Sequence, residues 1–492
     1  MDVTDMHIVF INPPFKAEYG KFSRESRSPA ITKSGALYYP LWLIYAAAYC
    51  QKYGHRVDFI DAPAKPLDEF ETLELVEEKV GGEQVLFVLD TSTPSIKSDV
   101  AFGTKLKKKY PDSFAILVGT HPSACAEETL GYSDQIDAVA IGEFDYTIRE
   151  LADAFDKGTP LEEVRGLCLQ TDGGLVWTPP MPHITDMDDI PFAAQFIKEN
   201  LDEKDYFFAA ATYPAIQIFT GRGCPCRCTF CVYPQVMHGH PFRARSPENV
   251  VEEFQYIAEN FPDVKEVVIE DDTFTIDKAR VRRISELLID AGLHKRLKWL
   301  CNARANTLDL DTMKLMKKSG CRLIIPGFES GSQQILDNIK KGIKLEQIYD
   351  YVKNAKKAGL LIHACYMVGN DGETKETMEE TLQLALKLNT DTAQFFPLIP
   401  YPGTAAYDLA RKNSNITIDY EQYCNEDGTH NTVLNLPGLS AQEMVDFCNY
   451  ARKKYYLRVR YFLHRLWVGL RNPDDLKRSI KAFGKLRKYL FK

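Results

Sequence analysis

Short apolar runs of strand length recur along the chain, each followed by a stretch of helical period. Residues 7–12 (His-Ile-Val-Phe-Ile-Asn) form the first run, stopped by Pro13 and Pro14. Residues 41–54 read as a helix closed by a C-terminal glycine, Gly54. Further strands follow near 56–61, 85–93, 115–121 and 138–143, with helical stretches near 70–80, 98–109 and 145–156. Continuous apolar strands alternating with helices predict a doubly wound parallel sheet over residues 1–160. Ligands of such sheets bind beyond the strands' carboxyl ends. Small and polar residues gather at those ends: Asn12 with Pro13, Thr91 with Ser92, Gly119 with His121, and Gly142 with Glu143.

Prolines cluster in residues 161–205 and break the period, so this segment reads as a linker. The strand–helix alternation resumes from 206 to 420. Strands are expected from 215, 264, 297, 323, 361 and 392, with helices at 247–261 and 277–291 between them. Six such units predict an open, partial version of the eight-fold (β/α) barrel, whose active face is the one where strands end. Residues 421–492 read as a C-terminal helical region.

The chemistry concentrates after the first of these six strands. Cys224, Cys228 and Cys231 follow a glycine turn in the spacing C-x3-C-x2-C, with Phe230 before the third cysteine. Iron–sulfur clusters are normally held by thiolates, four for a fully ligated cube. Three thiolates from one loop leave one iron open. A structural zinc site is the other reading, with Cys226 as fourth ligand. Zinc prefers two cysteine pairs set well apart, whereas four cysteines here crowd into eight residues.

This loop closely resembles the signature of radical S-adenosylmethionine enzymes, and motifs at later strand ends match the same family. Glu270 and Asp271 end strand two, where the family meets the amino group of S-adenosylmethionine. Glu329 and Ser330 end strand four, with Glu329 at the position that bonds the ribose hydroxyls. Gly369 and Gly372 lie in the turn near the adenine. Asn370-Asp371 stands there where a Leu-Pro pair is more common. Pro400-Tyr401-Pro402-Gly403-Thr404 after strand six also matches. Taken singly, acidic residues at strand ends are also explained as caps of the following helix. The resemblance implies a [4Fe–4S] cluster on the three cysteines, S-adenosylmethionine on its open iron, a 5′-deoxyadenosyl radical, and Cys226 as a spectator.

The N-terminal third resembles the cobalamin-binding domain attached to one class of these enzymes. That implies cobalamin as a third cofactor, cradled by Asn12, Pro13, Thr91, Ser92, Gly119, His121, Gly142 and Glu143. The Asp-x-His-x-x-Gly motif that supplies a lower axial histidine in many cobalamin proteins is absent. His121 sits in a loop that approaches the lower face, or it bonds its own loop as a turn residue. A flavodoxin-like module that has lost its ligand is the other reading of this domain. Most enzymes of this kind are methyltransferases. The resemblance thus implies methylation of an unactivated carbon in an apolar or lipid-like substrate, driven by a reductant such as flavodoxin or ferredoxin. Cyclisation, ring contraction or rearrangement without methyl transfer, and a non-catalytic redox or cobalamin sensor, are the alternatives.

Composition is that of an ordinary globular protein of 492 residues, with 45% hydrophobic and 26% charged residues. No signal peptide or spanning segment is evident, and twelve cysteines without an export signal point to a reducing cytoplasm. The scattered cysteines read as small buried hydrophobes. The net charge of −8 hides an asymmetry: residues 452–492 carry fourteen Lys/Arg against two Asp, so +12, and the remainder carries −20. Cations interleaved with large apolar residues read either as a solvated helical cap or as an interfacial helix at the inner face of a membrane. The aromatic spacing lacks an RNA-binding motif, so nucleic acid ranks last.

Overall fold

A computed structural model describes residues 6–416 and 418–471. The first sheet contains β1 (His7–Asn12), β2 (Arg56–Asp61), β3 (Leu86–Thr91), β4 (Phe114–Gly119) and β5 (Ala138–Ala140), all parallel, in the order β2-β1-β3-β4-β5. These are the five strands the apolar runs predict. The segment 161–205, expected as a linker, differs. Two of its stretches, β6 (Leu167–Thr171) and β7 (Gly174–Trp177), form a hairpin that adds antiparallel to β5. Asp172-Gly173 is its two-residue turn, and the positive φ at this corner, +107°, falls on Gly174, where the second strand begins.

The second sheet has six strands in sequential order: β8 (Ala215–Ile218), β9 (Glu266–Ile269), β10 (Lys298–Ala303), β11 (Cys321–Glu329), β12 (Leu361–Val368) and β13 (Thr392–Pro397). All neighbours pair parallel, and helices such as α4 (Pro247–Asn260) connect them. This is the expected partial barrel. Ser246 caps α4 by accepting from the Asn249 amide, one of several side-chain caps that close orphan amides at helix starts.

The two sheets share one continuous apolar core. The reason lies in α1 (Leu41–Lys52), whose first ten residues are all buried. A helix apolar on every side needs partners on every side. It packs on α3 (Asp145–Lys157) of its own domain, which follows α2 (Ile96–Lys109) in the chain, and on the barrel, where Tyr45 Oη accepts from the Phe219 amide at 2.9 Å. Residues 13–40, between β1 and α1, run as a strap to the barrel's active face. At the far end, α5 (Ala441–Tyr456) packs against β13 and is followed by α6 (Val459–Arg471). The basic run 472–492 lies outside the described residues. Among those described, no helix is long and apolar enough to cross a membrane. All the scattered cysteines are free thiols, and all but half-buried Cys125 and Cys365 are buried.

Candidate active site at two facing sets of strand ends

β8 runs into Gly221-Arg222, which pairs antiparallel with Arg243-Ala244 and pinches residues 223–242 into a closed loop. Gly223 has φ +85°, and a Cβ there would lie 2.1 Å from the Pro241 carbonyl oxygen, so only glycine fits. Gln235 donates to the carbonyls of Cys228, Thr229 and Cys231 at 3.3, 3.2 and 2.8 Å, folding the three-cysteine turn around one amide. Cys224 is buried with Sγ 3.2 Å from Thr273 Oγ1. The Cys226 thiol beside it, helped by Thr273, pulls the Cys224 thiol down to about 6. Burial pushes Cys231 up to about 12.

Three cations face this loop. Arg304, just past β10, places Nη1 3.8 Å from Cys228 Sγ. Lys341 lies 5.6 Å from the centre of the Phe230 ring. Arg27, on the strap, stacks 5.4 Å from the Tyr233 ring centre and donates to the Asp271 carbonyl at 3.2 Å. Among the described residues, no three His, Cys, Asp or Glu are drawn around a single ion. The loop instead offers three thiols within a cationic surround. That donor set fits an anionic iron–sulfur cube held by three thiolates.

The carboxylates at the strand ends divide into two kinds. Glu270 is half-buried and turned to the barrel mouth, accepting from Gln217 at 3.1 Å and Asn302 at 3.2 Å, with Arg27 at 3.7 Å. Asp271 points the other way. It accepts from the amide and hydroxyl of Thr220, both at 2.6 Å, and burial raises its pKa. Glu329 sits at a register shift in the pairing of β11 with β12, with φ +64°, a backbone state seldom adopted by a residue with a side chain. Its carboxylate accepts from Lys341 at 2.8 Å. Gly327 makes room for it: a Cβ there would lie 2.2 Å from Glu329 Oε1. Ser330 is fully buried, 3.2 Å from the Thr381 hydroxyl, and supports the turn from inside. Gly369 and Gly372 both have positive φ and press against Met444 and Asn338, shaping the turn after β12.

The predicted cobalamin-side residues are gathered at one edge, and several are already engaged. Asn12 donates to Asp61 at 2.8 Å and accepts from Arg24 at 2.7 Å, while the Pro13 carbonyl also accepts from Arg24. Thr91 donates to the Val118 carbonyl at 2.7 Å, and Ser92 pairs with Ser95. At Gly119 a Cβ would lie 2.3 Å from the Thr91 carbonyl oxygen. Gly142 has φ +73° and faces the Met237 carbonyl of the barrel loop. Glu143 is part of the domain joint, bonded to Arg243; burial opposes its charge, but His183 and Arg243 hold its pKa below the ordinary carboxylate range. His121 bonds Thr93 at 3.2 Å and packs edge-on to Tyr420, and burial drops its pKa to about 3, so the ring is neutral. Two fully buried groups here have no hydrogen-bond partner: His121 Nε2 and both carboxylate oxygens of Asp90. Orphaned polar atoms at strand ends fit a ligand whose rim carries many amides, as cobalamin does.

The two sets of strand ends are bolted together. Trp42 of α1 donates its indole N–H to His238 Nε2 at 2.8 Å. Indole only donates, so Nε2 must accept and Nδ1 carries the proton. His238 Nδ1 therefore donates to Asp272 at 2.9 Å, and Asp272 accepts the Gly223 amide at 2.8 Å. This relay runs from the first domain to the residue before Cys224. The buried pair Arg222–Asp145, at 2.7 and 3.0 Å, adds a second joint. Beside the loop opens a cavity of about 530 Å³ whose rim includes Cys226, Arg227, Arg304, Lys340 and Lys341.

Sequence reasoning did not single out Arg27, Arg304, Lys341 or His238. Isolated cations carry no period, and Arg27 lies in a segment with no regular pattern. The one available signal was Arg304 at the end of a strand whose neighbours were already flagged.

Residues 218–385 match the model of the radical SAM superfamily, and residues 27–152 match that of the B12-binding domain. The chain is 32% identical over 452 residues to a methyltransferase of Pyrococcus horikoshii described as uncharacterized, covering 92% of this chain and 94% of that one. It is 26% identical over 437 residues to the anaerobic magnesium-protoporphyrin IX monomethyl ester cyclase of Cereibacter sphaeroides, covering 87% and 69%. The fold matches that of the cobalamin-dependent S-adenosylmethionine radical enzyme OxsB, with a TM-score of 0.70 at 15% identity over 99% of this chain and 72% of that one. The three-thiol loop, the facing sheets and these likenesses agree: the chain belongs to the cobalamin-binding radical S-adenosylmethionine enzymes, whose cofactors are a [4Fe–4S] cluster, S-adenosylmethionine and cobalamin.

Proposed function

We propose that the protein methylates an unactivated carbon of an apolar or lipid-like small molecule. Bound together, the three cofactors supply a 5′-deoxyadenosyl radical and a transferable methyl group. The observation that carries this reading is the meeting of both sets of strand ends at one joint. Arg27 of the strap reaches Glu270 at the barrel mouth, and Ser28 lies 3.3 Å from Tyr401. A substrate held between them lies within reach of both domains. The names of several relatives support methyl transfer, among them a hopanoid C-3 methylase of Methylococcus capsulatus, 22% identical over 81% of this chain.

In this reading Cys224, Cys228 and Cys231 hold the cluster. Glu270 receives the ammonium of S-adenosylmethionine, since a carboxylate suits an ammonium. Glu329, raised by its backbone and steadied by Lys341, receives the ribose hydroxyls. Gly369 and Gly372 let the adenine approach the main chain. Asp271 and Ser330 hold these positions from behind. Gly119, Gly142, His121 and Asp90 face the corrin, and Asn12, Pro13, Thr91, Ser92 and Glu143 keep that edge rigid. An acidic one-electron donor such as flavodoxin or ferredoxin meets the cationic cavity beside Arg227 and Lys340.

The cyclase relatives favour a second reading, radical cyclisation without methyl transfer. Anaerobic turnover with S-adenosylmethionine and reductant separates the two. Methylation gives S-adenosylhomocysteine beside 5′-deoxyadenosine. Formation of 5′-deoxyadenosine alone in the presence of consumed substrate supports cyclisation and overturns methylation.

A further inference from the structure

We infer that α6 is a docking face for an anionic membrane surface. Val459, Leu463, Leu466 and Leu470 are 72, 62, 52 and 73% exposed. At 100° per residue they fall within about 60° of one another on the helix. They form one stripe of branched aliphatic side chains turned to solvent, a feature that marks an interaction site when it is contiguous.

The stripe's direction is fixed by what the opposite side holds. Tyr461 is buried and donates to the Asp391 carbonyl at 2.9 Å, and Arg465 pairs with the Asp391 carboxylate at 3.1 Å. Arg458, just before the helix, donates to the Leu386 carbonyl at 2.7 Å and to Asn389 at 2.8 Å. These bonds pin α6 to the barrel and leave the aliphatic stripe facing out.

Charge decides the occupant. Arg460 is exposed on α6, about 100° round the helix from Val459, and Lys453 and Lys454 are exposed near the end of α5 just before it. The sequence that follows α6 is basic too, with seven Lys/Arg against Asp474 and Asp475 over residues 472–492. An aliphatic stripe bordered by cations, in a chain otherwise negative, matches anionic headgroups over an acyl layer. A second copy of the chain would bring its own cations against these and be repelled.

Asp391 immediately precedes β13, so α6 docks at the end of that strand opposite the carboxyl ends that carry the site. The helix therefore tethers the enzyme and does not feed the barrel mouth directly. This deepens the proposed function by fixing where the enzyme works, yet rests on the helix alone. Formation of 5′-deoxyadenosine in solution reports on the function whatever the tether does.

The full chain, reconstituted with its cofactors, is sedimented with vesicles of phosphatidylcholine alone or mixed with phosphatidylglycerol. Binding is expected to the mixed vesicles and to weaken as salt rises. Replacing Lys453, Lys454 and Arg460 together by Gln is expected to cost on the order of a hundredfold in partitioning. The combined Leu463→Asp, Leu466→Asp and Leu470→Asp variant is expected to lose binding while keeping its cobalamin content and far-ultraviolet dichroism. Failure of the parent protein to sediment with the mixed vesicles overturns the inference. So does binding by either variant that equals the parent's, or a parent dimer that the aspartates dissolve.

Discussion

The two sets of strand ends solve the same problem in different ways. In the barrel, chemistry-bearing side chains project into the mouth: three thiols, Glu270, and a Glu329 lifted by an unusual backbone angle. In the first domain the polar residues at the equivalent ends are mostly spent on each other. Asn12 is held between Asp61 and Arg24, and Thr91 and Ser92 bond inward. What remains open there is glycine backbone plus two buried groups without partners, Asp90 and His121 Nε2. The barrel ends present thiols and carboxylates on side chains. The first domain's ends present mostly backbone, with two unpartnered buried groups behind it, which suits the proposed corrin contact.

The joint between the two sets of strand ends bears the heaviest load. Arg222→Ala leaves the Asp145 carboxylate buried without its cation. Unfolding by urea is expected to show a loss of about 3–5 kcal/mol, and a loss under 1 kcal/mol would mean that the joint is not under this load.

The first domain's ends are tested through Asp90. Burial first, and the nearby acids Asp99 and Asp61 next, raise its pKa to about 8 against the pull of Arg24. The folded value lies above the unfolded one, so the group costs nothing below the unfolded pKa of 3.8. The cost grows as pH rises from there to about 8 and is constant beyond. Asp90→Asn is therefore expected to stabilise the cofactor-free protein at high pH, by about 2 kcal/mol or more within an upper bound of roughly 5–6 kcal/mol set by the full shift, and not at all in acid. Melting curves across pH measure it, and a pH-independent difference contradicts the assignment. Weaker cobalamin uptake by the same variant would sharpen it.

The mouth is tested by two adjacent carboxylates. Glu270→Gln is expected to weaken S-adenosylmethionine binding by about tenfold, equal to about 1.4 kcal/mol, with little change in melting. Asp271→Asn is expected to do the reverse: it loses a bond to Thr220, costing about 1 kcal/mol of stability, while ligand affinity holds within about twofold. Calorimetric titration and thermal melts together separate the pair, and equal affinity losses would contradict the assigned directions.

Much of this was legible in the sequence because strands and helices here follow their periods closely. The cysteine spacing located the three-thiol loop at the end of β8, and the strand-end positions located both glutamates. Side-chain direction at those ends was not legible. Glu270 and Asp271 are neighbours in sequence, and only the sheet's alternation decides which faces the mouth. The hairpin of β6 and β7 was hidden by the proline-rich flanks around it, although Asp172-Gly173 is a strong turn signal. Arg27 was out of reach altogether, since its ion pair with Glu270 spans 243 residues of chain with no local pattern at the Arg27 end.

Everything proposed for the barrel mouth requires that three thiols hold a cube with one iron left for S-adenosylmethionine. The direct measurement is electron paramagnetic resonance of the anaerobically reconstituted, reduced protein before and after adding S-adenosylmethionine. The account predicts a cluster signal that changes on addition and is absent after Cys228→Ala. Zinc in the loop, or a cluster signal indifferent to S-adenosylmethionine, would contradict it.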